Sequence, residues 1–201
     1  MIYSRKEKCM KKILIATRNE DKYKIISKLL STKYFKNTQF YSLNNIENIV
    51  DDKKEEGNIE ERSLEKAVNA YKAVNNKYDL IVGVDDGIKI KGEIIENVKE
   101  YIKPIINDEL LLQGEKVYIV RAFSFITKDG NIISIVTEIP FQYKKARDKF
   151  EILENSYPLG YVLSPIGSKK AAVELSDDES NNYYLKFSQL KLDEIKDFFN
   201  E

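Results

Sequence analysis

The sequence predicts an α/β protein built on a mixed central sheet, and three observations lead to that fold class. Residues 13–16 and 80–84 are wholly apolar runs, as expected of strands that are covered on both faces. Two segments between these runs carry apolar residues at helical spacing. Residues 117–127 and 132–141 flank an Asp-Gly turn, which is typical of an antiparallel hairpin. Strands joined through helices and followed by a hairpin give a sheet with both parallel and antiparallel pairs.

The first half of the chain alternates strands and helices. The helix after the first strand has an apolar face made of residues at helical spacing, namely Tyr23, Ile26, Leu29 and Leu30. A second strand is expected over residues 38–43 and a second helix over residues 60–75. The third strand is expected to end on Asp85-Asp86-Gly87, with residues 88–90 continuing it beyond a kink.

The second half holds the hairpin and two further helices. Residues 95–113 are expected to be mainly helical, with a kink or a division at Pro104 and an end at Gly114. Residues 153–170 contain prolines and glycines and are expected to form loops. A C-terminal helix is expected from about residue 184 to residue 199.

Domain organisation is simple. Residues 1–11 are polar and basic without any periodicity, which predicts a flexible N-terminal extension. Residues 12–201 are expected to form a single domain, because no linker and no internal repeat interrupts them.

Charge and composition limit the partners. Lys+Arg and Asp+Glu each number 33, so the formal net charge is zero, which argues against a broad basic surface for nucleic acid. No apolar stretch approaches the ~20 residues that cross a bilayer, so no membrane partner is expected. The single cysteine, Cys9, excludes a disulfide framework and, without a signal peptide, indicates a reducing cytoplasm.

The sequence contains no histidine. Ser-His-Asp and Cys-His catalysis, zinc sites with histidine ligands and histidine general bases are therefore excluded. Any catalysis must use carboxylates, lysines, tyrosines or a hard metal ion.

The polar turn from Thr17 to Lys22 is the first candidate site. A strand that enters a helix through a short turn presents backbone N–H groups and the positive end of the helix dipole at one point, where a phosphate binds well. Thr17 and Asn19 can add side-chain hydrogen bonds, and Lys22 can add a point charge. The plainer interpretation is a helix cap, since Asn19 or Asp21 would cap the helix without any ligand.

Asp85-Asp86-Gly87 is the second candidate site. Adjacent carboxylates at the carboxyl end of an apolar strand lie where ligands bind in open α/β sheets. Paired carboxylates suit Mg²⁺, which takes oxygen ligands and shares them with phosphates. The plainer interpretation is a solvated turn of common sequence.

A third group comprises Glu55, Glu56 and Lys66. A glutamate from the charged loop before the second helix could complete a metal shell, and Lys66 on that helix could contact a phosphate. Taken alone, such residues are usually solvent-facing.

Together these motifs resemble those of the inosine triphosphate pyrophosphatase family, whose members hydrolyse non-canonical purine nucleoside triphosphates. The family opens with a strand and a Thr-x-Asn-x-x-Lys turn, which residues 17–22 match. A Ser-hydrophobic-x-Lys helix start is matched by residues 63–66, and a strand ending in two acids is matched by Asp85-Asp86. The similarity in order and spacing runs over residues 12–199.

The resemblance implies a two-lobed fold with a nucleotide cleft between the lobes, a homodimer, and Mg²⁺-dependent cleavage between the α and β phosphates. By position, it assigns triphosphate binding to Thr17, Asn19, Lys22 and Lys66. Arg18 and Gly87 are further candidate substrate-binding residues, although the family usually has Ser or Thr at the position of Gly87. It assigns metal binding and water activation to Asp86, with Asp85 beside it in the catalytic site. A further metal ligand would be Glu55 or Glu56.

The base-reading half departs from the family. Its Phe-Gly-Trp/Tyr-Asp-Pro segment is here residues 159–163, in which Val162 replaces the aspartate that reads the purine edge. Its Ser-His-Arg triplet falls on residues 184–186, Tyr-Leu-Lys. Tyr161 could still stack on a base and Lys186 could replace the arginine, although a core-edge tyrosine and a surface lysine are the plainer interpretations. Each lost hydrogen-bond partner costs ~1–3 kcal/mol, so altered base specificity is expected.

The leading hypothesis is thus a Mg²⁺-dependent nucleoside triphosphate pyrophosphatase with altered base specificity. The alternative is a catalytically degenerate nucleotide-binding protein of the same fold. A third hypothesis is a related pyrophosphatase that acts on another phosphorylated small molecule.

Overall fold

Seven strands form one mixed sheet in the computed structural model, which describes residues 10–46, 56–107, 109–144 and 158–200. In chain order the strands are β1 Lys12–Ala16, β2 Gln39–Ser42, β3 Leu80–Ile90, β4 Glu93–Ile95, β5 Lys116–Thr127, β6 Ile132–Tyr143 and β7 Leu163–Pro165.

Helices cover both faces of this sheet. Within the described ranges the α-helices are α1 Glu20–Lys33, α2 Ile59–Val74, α3 Val98–Ile106 and α4 Asp177–Glu194. Short 3₁₀ turns lie at Leu43–Asn45, Pro158–Tyr161, Ala172–Glu174 and Lys196–Asn200.

The strand order is β2-β1-β3-β5-β6-β7, with β4 beside β3. β1 runs parallel to β2 and to β3, whereas the pairs from β3 onward are antiparallel. The α/β fold with a mixed central sheet is therefore confirmed.

One edge of β3 has an uncovered stretch at residues 84–87. β1 pairs with β3 only as far as Ala16, opposite Gly83, and β4 begins to pair at Ile88. Between those points no strand of the described chain pairs with β3 on this side, while β5 continues along the other side. The carboxyl end of β1 therefore opens onto a gap in the sheet.

The two faces of β3 pack against different helices because side chains alternate along a strand. Val82 and Val84 join the apolar cluster formed with α1 and α4, whereas Ile81 packs with α2. Gly83 also faces α2, where a Cβ atom would lie 1.9 Å from the carbonyl oxygen of Ser63. Glycine is thus required for the close approach of α2 to the sheet.

A second apolar cluster lies at the other end of the long strands. Ile88 and Ile90 of β3 pack there with residues of β5, β6 and α3, and with Leu159. β3 and β5 contribute to both clusters. On β3 the first cluster ends at Val84 and the second begins at Ile88, so Asp85, Asp86 and Gly87 lie between them.

Three predicted boundaries are wrong. β3 does not end or kink at Asp85-Asp86-Gly87, because these residues pair with Ala122, Arg121 and Val120 of β5 in unbroken register. The helix predicted over residues 95–113 is only α3, preceded by β4 and followed by a non-helical segment; Pro104 lies in its last turn. The loop prediction for residues 153–170 missed β7, and residues 153–157 lie outside the described chain.

The C-terminal helix begins seven residues earlier than the expected start at 184. Ser176 caps it by accepting a hydrogen bond from the Glu179 N–H, and the Glu179 side chain accepts one from the Ser176 N–H. This capping box is visible in the sequence Ser-Asp-Asp-Glu, ahead of the apolar residues on which the prediction rested.

The predicted N-terminal extension falls mostly outside the described residues, which begin at Met10. Lys11 is bonded to the domain, since its carbonyl accepts from the Gln39 N–H at 2.9 Å. Its Nζ donates to the carbonyl of Phe199 at 3.1 Å.

Candidate active site

A cleft of about 590 Å³ opens at the uncovered stretch of β3. The turn after β1, the first turns of α1 and α2, and the start of α3 form its walls. Its charged lining residues include Lys22, Arg62, Lys66, Asp85, Asp86 and Arg121. An apolar part of the lining is formed by Val98, Ile102, Ile119 and Tyr184.

The turn after β1 holds the capping contacts that its sequence allows. The Asn19 side chain accepts from the Lys22 N–H at 2.8 Å, and Thr17 Oγ1 accepts from the Asn19 N–H at 3.1 Å. Arg18 donates to the carbonyl of Leu43 at 3.4 Å. Thr17, Asn19 and Lys22 nevertheless line the cleft, so the helix cap and a ligand-binding role occupy the same turn.

Asp85 is enclosed by two cations of α2. Its side chain is 7% exposed, and one oxygen accepts from Arg62 Nε at 2.7 Å. The other oxygen accepts from Lys66 Nζ at 2.6 Å. Arg62 is itself buried and also donates through Nη2 to the carbonyl of Glu96 at 2.9 Å. Asp85 thus ties α2 to β3 beneath the cleft.

Asp86 contacts a different pair of cations. Arg121 donates to it through Nε at 2.6 Å and through Nη2 at 3.1 Å, and Lys22 Nζ lies 3.2 Å away. Burial raises the pKa of Asp86, but Arg121 and Lys22 outweigh it and hold that pKa well below its usual range. The Arg121 guanidinium also lies over the Tyr184 ring, 5.2 Å from its centroid. Asp86 is therefore ionised and fixed in orientation.

The two adjacent acids do not form one carboxylate pair. They occupy successive positions of a continuous strand, so their side chains leave opposite faces of the sheet. Asp85 meets α2, whereas Asp86 meets Lys22 of α1 and Arg121 of β5. Both line the cleft only because the sheet edge is uncovered there.

The donor set fits a metal ion that arrives with a substrate better than a resident ion. Within the described residues, no group of three or more Asp, Glu, Cys or His side chains is placed to hold a metal. Asp86 is 22% exposed in the cleft, and Mg²⁺ commonly binds one or two carboxylates together with substrate phosphates and water. Glu56 is exposed ahead of α2, and Glu55 lies outside the described chain.

The sequence matches no known family profile, and no curated protein matches it. Solved structures do match. A HAM1 protein from Coxiella burnetii aligns with a TM-score of 0.65 and 13% identity, over 92% of this chain and 98% of that chain. The Staphylococcus aureus Ham1 protein aligns with a TM-score of 0.61 and 15% identity, over 94% of this chain and 98% of that chain. The third structure comes from Mycobacterium abscessus and is named a nucleoside-triphosphatase or dITP/XTP pyrophosphatase. It aligns with a TM-score of 0.56 and 16% identity, over 90% of this chain and 97% of that chain.

The chain has the HAM1 fold. The fold expected from the resemblance is therefore confirmed over nearly the whole chain. The structural similarity covers at least 90% of the chain and therefore includes both apolar clusters. No described helix of this HAM1-like chain is long and apolar enough to cross a membrane.

Besides Glu56, three described candidate residues lie away from the cleft lining. Gly87 is buried on the α2 face, where a Cβ atom would lie 3.3 Å from Ile59 Cγ2. Tyr161 ends the 3₁₀ turn Pro158–Tyr161 and is partly buried. Lys186 is exposed on α4, with Nζ 5.2 Å from the centre of the Phe187 ring.

The departure at Val162 has a structural reason. Val162 is fully buried in the second apolar cluster, so an aspartate there would place a charge in the core. In this HAM1-like chain the segment that reads the base in the family packs as core instead.

Sequence reasoning missed Arg62, Arg121 and Tyr184. Arg121 carried a signal, because it is the one charged residue inside the apolar run from Val117 to Ile126. Arg62 resembles any surface residue in the first turn of a helix, and only the contact with Asp85 distinguishes it. Tyr184 was noted as a lost family residue, whereas its ring in fact lines the cleft.

Proposed function

We propose that this protein is a Mg²⁺-dependent nucleoside triphosphate pyrophosphatase, which converts a (d)NTP into a (d)NMP and pyrophosphate. The observation that carries the proposal is the convergence of Lys22, Lys66 and Asp86 on one cleft at the end of β1. These residues come from three different elements, α1, α2 and β3. The HAM1-like fold and the name of the Mycobacterium abscessus structure support the same reaction class.

The charge of the cleft suits a polyphosphate. Four cationic side chains, those of Lys22, Arg62, Lys66 and Arg121, contact two carboxylates at its centre. Over the whole lining, six cationic side chains face five acidic ones, which leaves one positive charge in excess. The chain as a whole has no net charge, so this excess is a local feature. A local excess of positive charge attracts anionic ligands.

Each group in the cleft has a proposed task. Lys22 and Lys66, whose side chains are 19% and 23% exposed, bind phosphate oxygens and stabilise the charge that develops on them. Asp86 stays ionised beside Arg121, and its carboxylate orients the attacking water by accepting a hydrogen bond from it. Mg²⁺, held by Asp86 and the phosphates when bound, supplies further neutralisation of the phosphate oxygens.

The proposed base specificity is altered relative to the family. An apolar part of the cleft lining is formed by Val98, Ile102, Ile119 and Tyr184, and contact with such a surface does not depend on the hydrogen-bonding edge of a base. The buried Val162 offers no hydrogen-bonding side chain for a purine edge. We therefore expect weaker discrimination among bases than an aspartate reader gives.

A second candidate, a catalytically degenerate nucleotide-binding protein, is favoured by one observation. Both carboxylates already contact cations of the protein itself at 2.6–2.7 Å. A carboxylate in such contacts is a poorer metal ligand, since the cations compete for the same oxygens.

The experiment that separates the two candidates is a screen for pyrophosphate release across nucleoside triphosphates, including inosine and xanthosine nucleotides, with Mg²⁺. Wild type should release pyrophosphate, and Asp86→Asn should lose at least a hundredfold in kcat. Binding without release from any substrate would favour the degenerate protein. Equal release by Asp86→Asn would remove Asp86 from the mechanism. Light scattering on the same samples tests the homodimer that the resemblance implies.

A further inference from the structure

We infer that Asp85 is a positioning residue, which holds Lys66 in place to bind a phosphate, rather than a metal ligand or a base. This inference rests on the proposed function, because it concerns how the same cleft binds its triphosphate. It concerns the ion-pair triad Arg62–Asp85–Lys66, in which one carboxylate joins two cations of α2.

The geometry leaves Asp85 committed to its two partners. Each oxygen accepts from a different cation, at 2.7 Å from Arg62 Nε and at 2.6 Å from Lys66 Nζ. The Asp85 side chain is 7% exposed and that of Arg62 is 4% exposed. Each oxygen accepts a short charge-assisted hydrogen bond, and the low exposure of the Asp85 side chain restricts the access of a metal ion or a water molecule to the remaining lone pairs.

Lys66 is the most exposed member of the triad in the cleft. All three members line the cavity, but the Lys66 side chain is 23% exposed, against 7% for Asp85 and 4% for Arg62. A lysine on a flexible four-carbon stem loses conformational entropy when it binds a phosphate. The contact with Asp85 orders the ammonium group before the ligand arrives, which reduces the entropy lost on binding.

Arg62 fixes the position of Asp85 through further contacts with the chain. It donates through Nη2 to the carbonyl of Glu96 at 2.9 Å and through Nη1 to Asn97 Oδ1 at 3.4 Å, which ties it to the start of α3. The triad therefore connects Lys66 to the opposite wall of the cleft. Because Arg62 fixes the Asp85 carboxylate, this carboxylate stays in place when Lys66 contacts a ligand.

The inference makes a prediction opposite to that of simple electrostatics. Removing a carboxylate beside a polyanion site should strengthen anion binding if only net charge matters. If Asp85 acts through Lys66, Asp85→Asn should instead weaken binding. The probe is inorganic tripolyphosphate in EDTA, which takes both the base and the metal out of the measurement.

The experiment is a double-mutant cycle by titration calorimetry. We expect Lys66→Met to weaken tripolyphosphate binding roughly ten- to a hundredfold and Asp85→Asn to weaken it several-fold. The double variant should bind no more weakly than Lys66→Met alone, because the two changes remove one contact. Glu138→Gln, which removes the carboxylate partner of Lys89 outside the cleft, is the matched control and should leave binding unchanged.

Thermal unfolding of each variant shows whether it is folded. If Asp85→Asn does not fold, because Arg62 is left buried beside a neutral side chain, Arg62→Gln/Asp85→Asn removes both charges and replaces it in the cycle. Tighter or unchanged binding by the Asp85 variant, or losses that multiply in the double variant, would overturn the inference while leaving the proposed function intact. Absence of tripolyphosphate binding by wild type would also overturn the inference, whereas the Mg²⁺-dependent function itself is tested separately by the pyrophosphate-release screen.

Discussion

At the scale of single residues, the cleft is organised by ion pairs that the sequence does not display. The acids and lysines could be predicted because their spacing matched a known pattern. Arg62 and Arg121 could not, since each is recognised only through a carboxylate that is distant in sequence and close in space. The same contacts change the interpretation of Asp85, which the sequence offered as half of a metal-binding pair.

The ion pair between Arg121 and Asp86 allows a direct test of burial. Arg121 is 5% exposed, and removing it leaves the Asp86 carboxylate with Lys22 as its remaining cation. Arg121→Met should lower the free energy of unfolding by about 2 kcal/mol, because it removes two charge-assisted hydrogen bonds from a carboxylate that keeps Lys22 as a partner.

Urea denaturation measures that loss, and two comparisons define its cause. Arg121→Met/Asp86→Leu should recover part of the stability, since neither charge then remains. Lys89→Met breaks an exposed pair with Glu138 and should cost less than about 1 kcal/mol. Equal losses at Arg121 and Lys89 would show that burial does not control the strength of these pairs.

At the scale of elements, the strands were predicted better than the helix ends. Apolar runs identify β1, β3, β5 and β6 because each is covered by helices or by a neighbouring strand. The sequence could not show that β3 continues through two aspartates, because propensity disfavours acids in strands and only the pairing with β5 overrides it. Likewise, apolar periodicity locates the middle of α4, whereas its start depends on a polar capping box.

The start of α4 carries a pH-dependent contact. Hydrogen bonds from Lys170 and from the Ser176 N–H lower the pKa of Glu179 to about 2, against 4.5 ordinarily. Because the folded-state pKa is the lower one, this carboxylate stabilises the protein fully above about pH 4.5 and loses its effect as the pH falls toward 2.

Glu179→Gln should therefore lower the thermal midpoint at pH 6 and reduce its decline between pH 4.5 and pH 2.5. The group is exposed, so the change should be small. Asp178→Asn, in the same helical turn but outside the capping box, should alter the pH dependence less. A decline that is as steep in Glu179→Gln as in wild type would exclude this capping contact as its source.

At the scale of the whole molecule, one feature of topology creates the site. β1 ends before β3 does, and β4 covers β3 only farther along, so the sheet has a gap where two acids lie. The sequence predicts each strand separately, but not the register between them. The HAM1-like fold was recognisable from the order of motifs, whereas the gap and the opposite directions of the acids required the structure.

A ligand that occupies this gap should stabilise the entire domain. A nucleoside triphosphate at a hundred times its Kd raises the free energy of unfolding by about 2.7 kcal/mol if it binds only the folded state. Thermal unfolding with and without nucleotide and Mg²⁺ should therefore show an upward shift in wild type. The shift should shrink as salt concentration rises, since the cations of a partly exposed cleft are screened.

Lys22→Met should lose most of that shift, because Lys22 lies beside Asp86 at the mouth of the gap. Lys24→Met is the matched control, since Lys24 lies on the same helix and lines a separate cavity near the start of α4. The two variants carry the same net charge, so a difference between them reports position rather than charge. Equal losses of the shift in both variants would place the nucleotide outside the gap in the sheet.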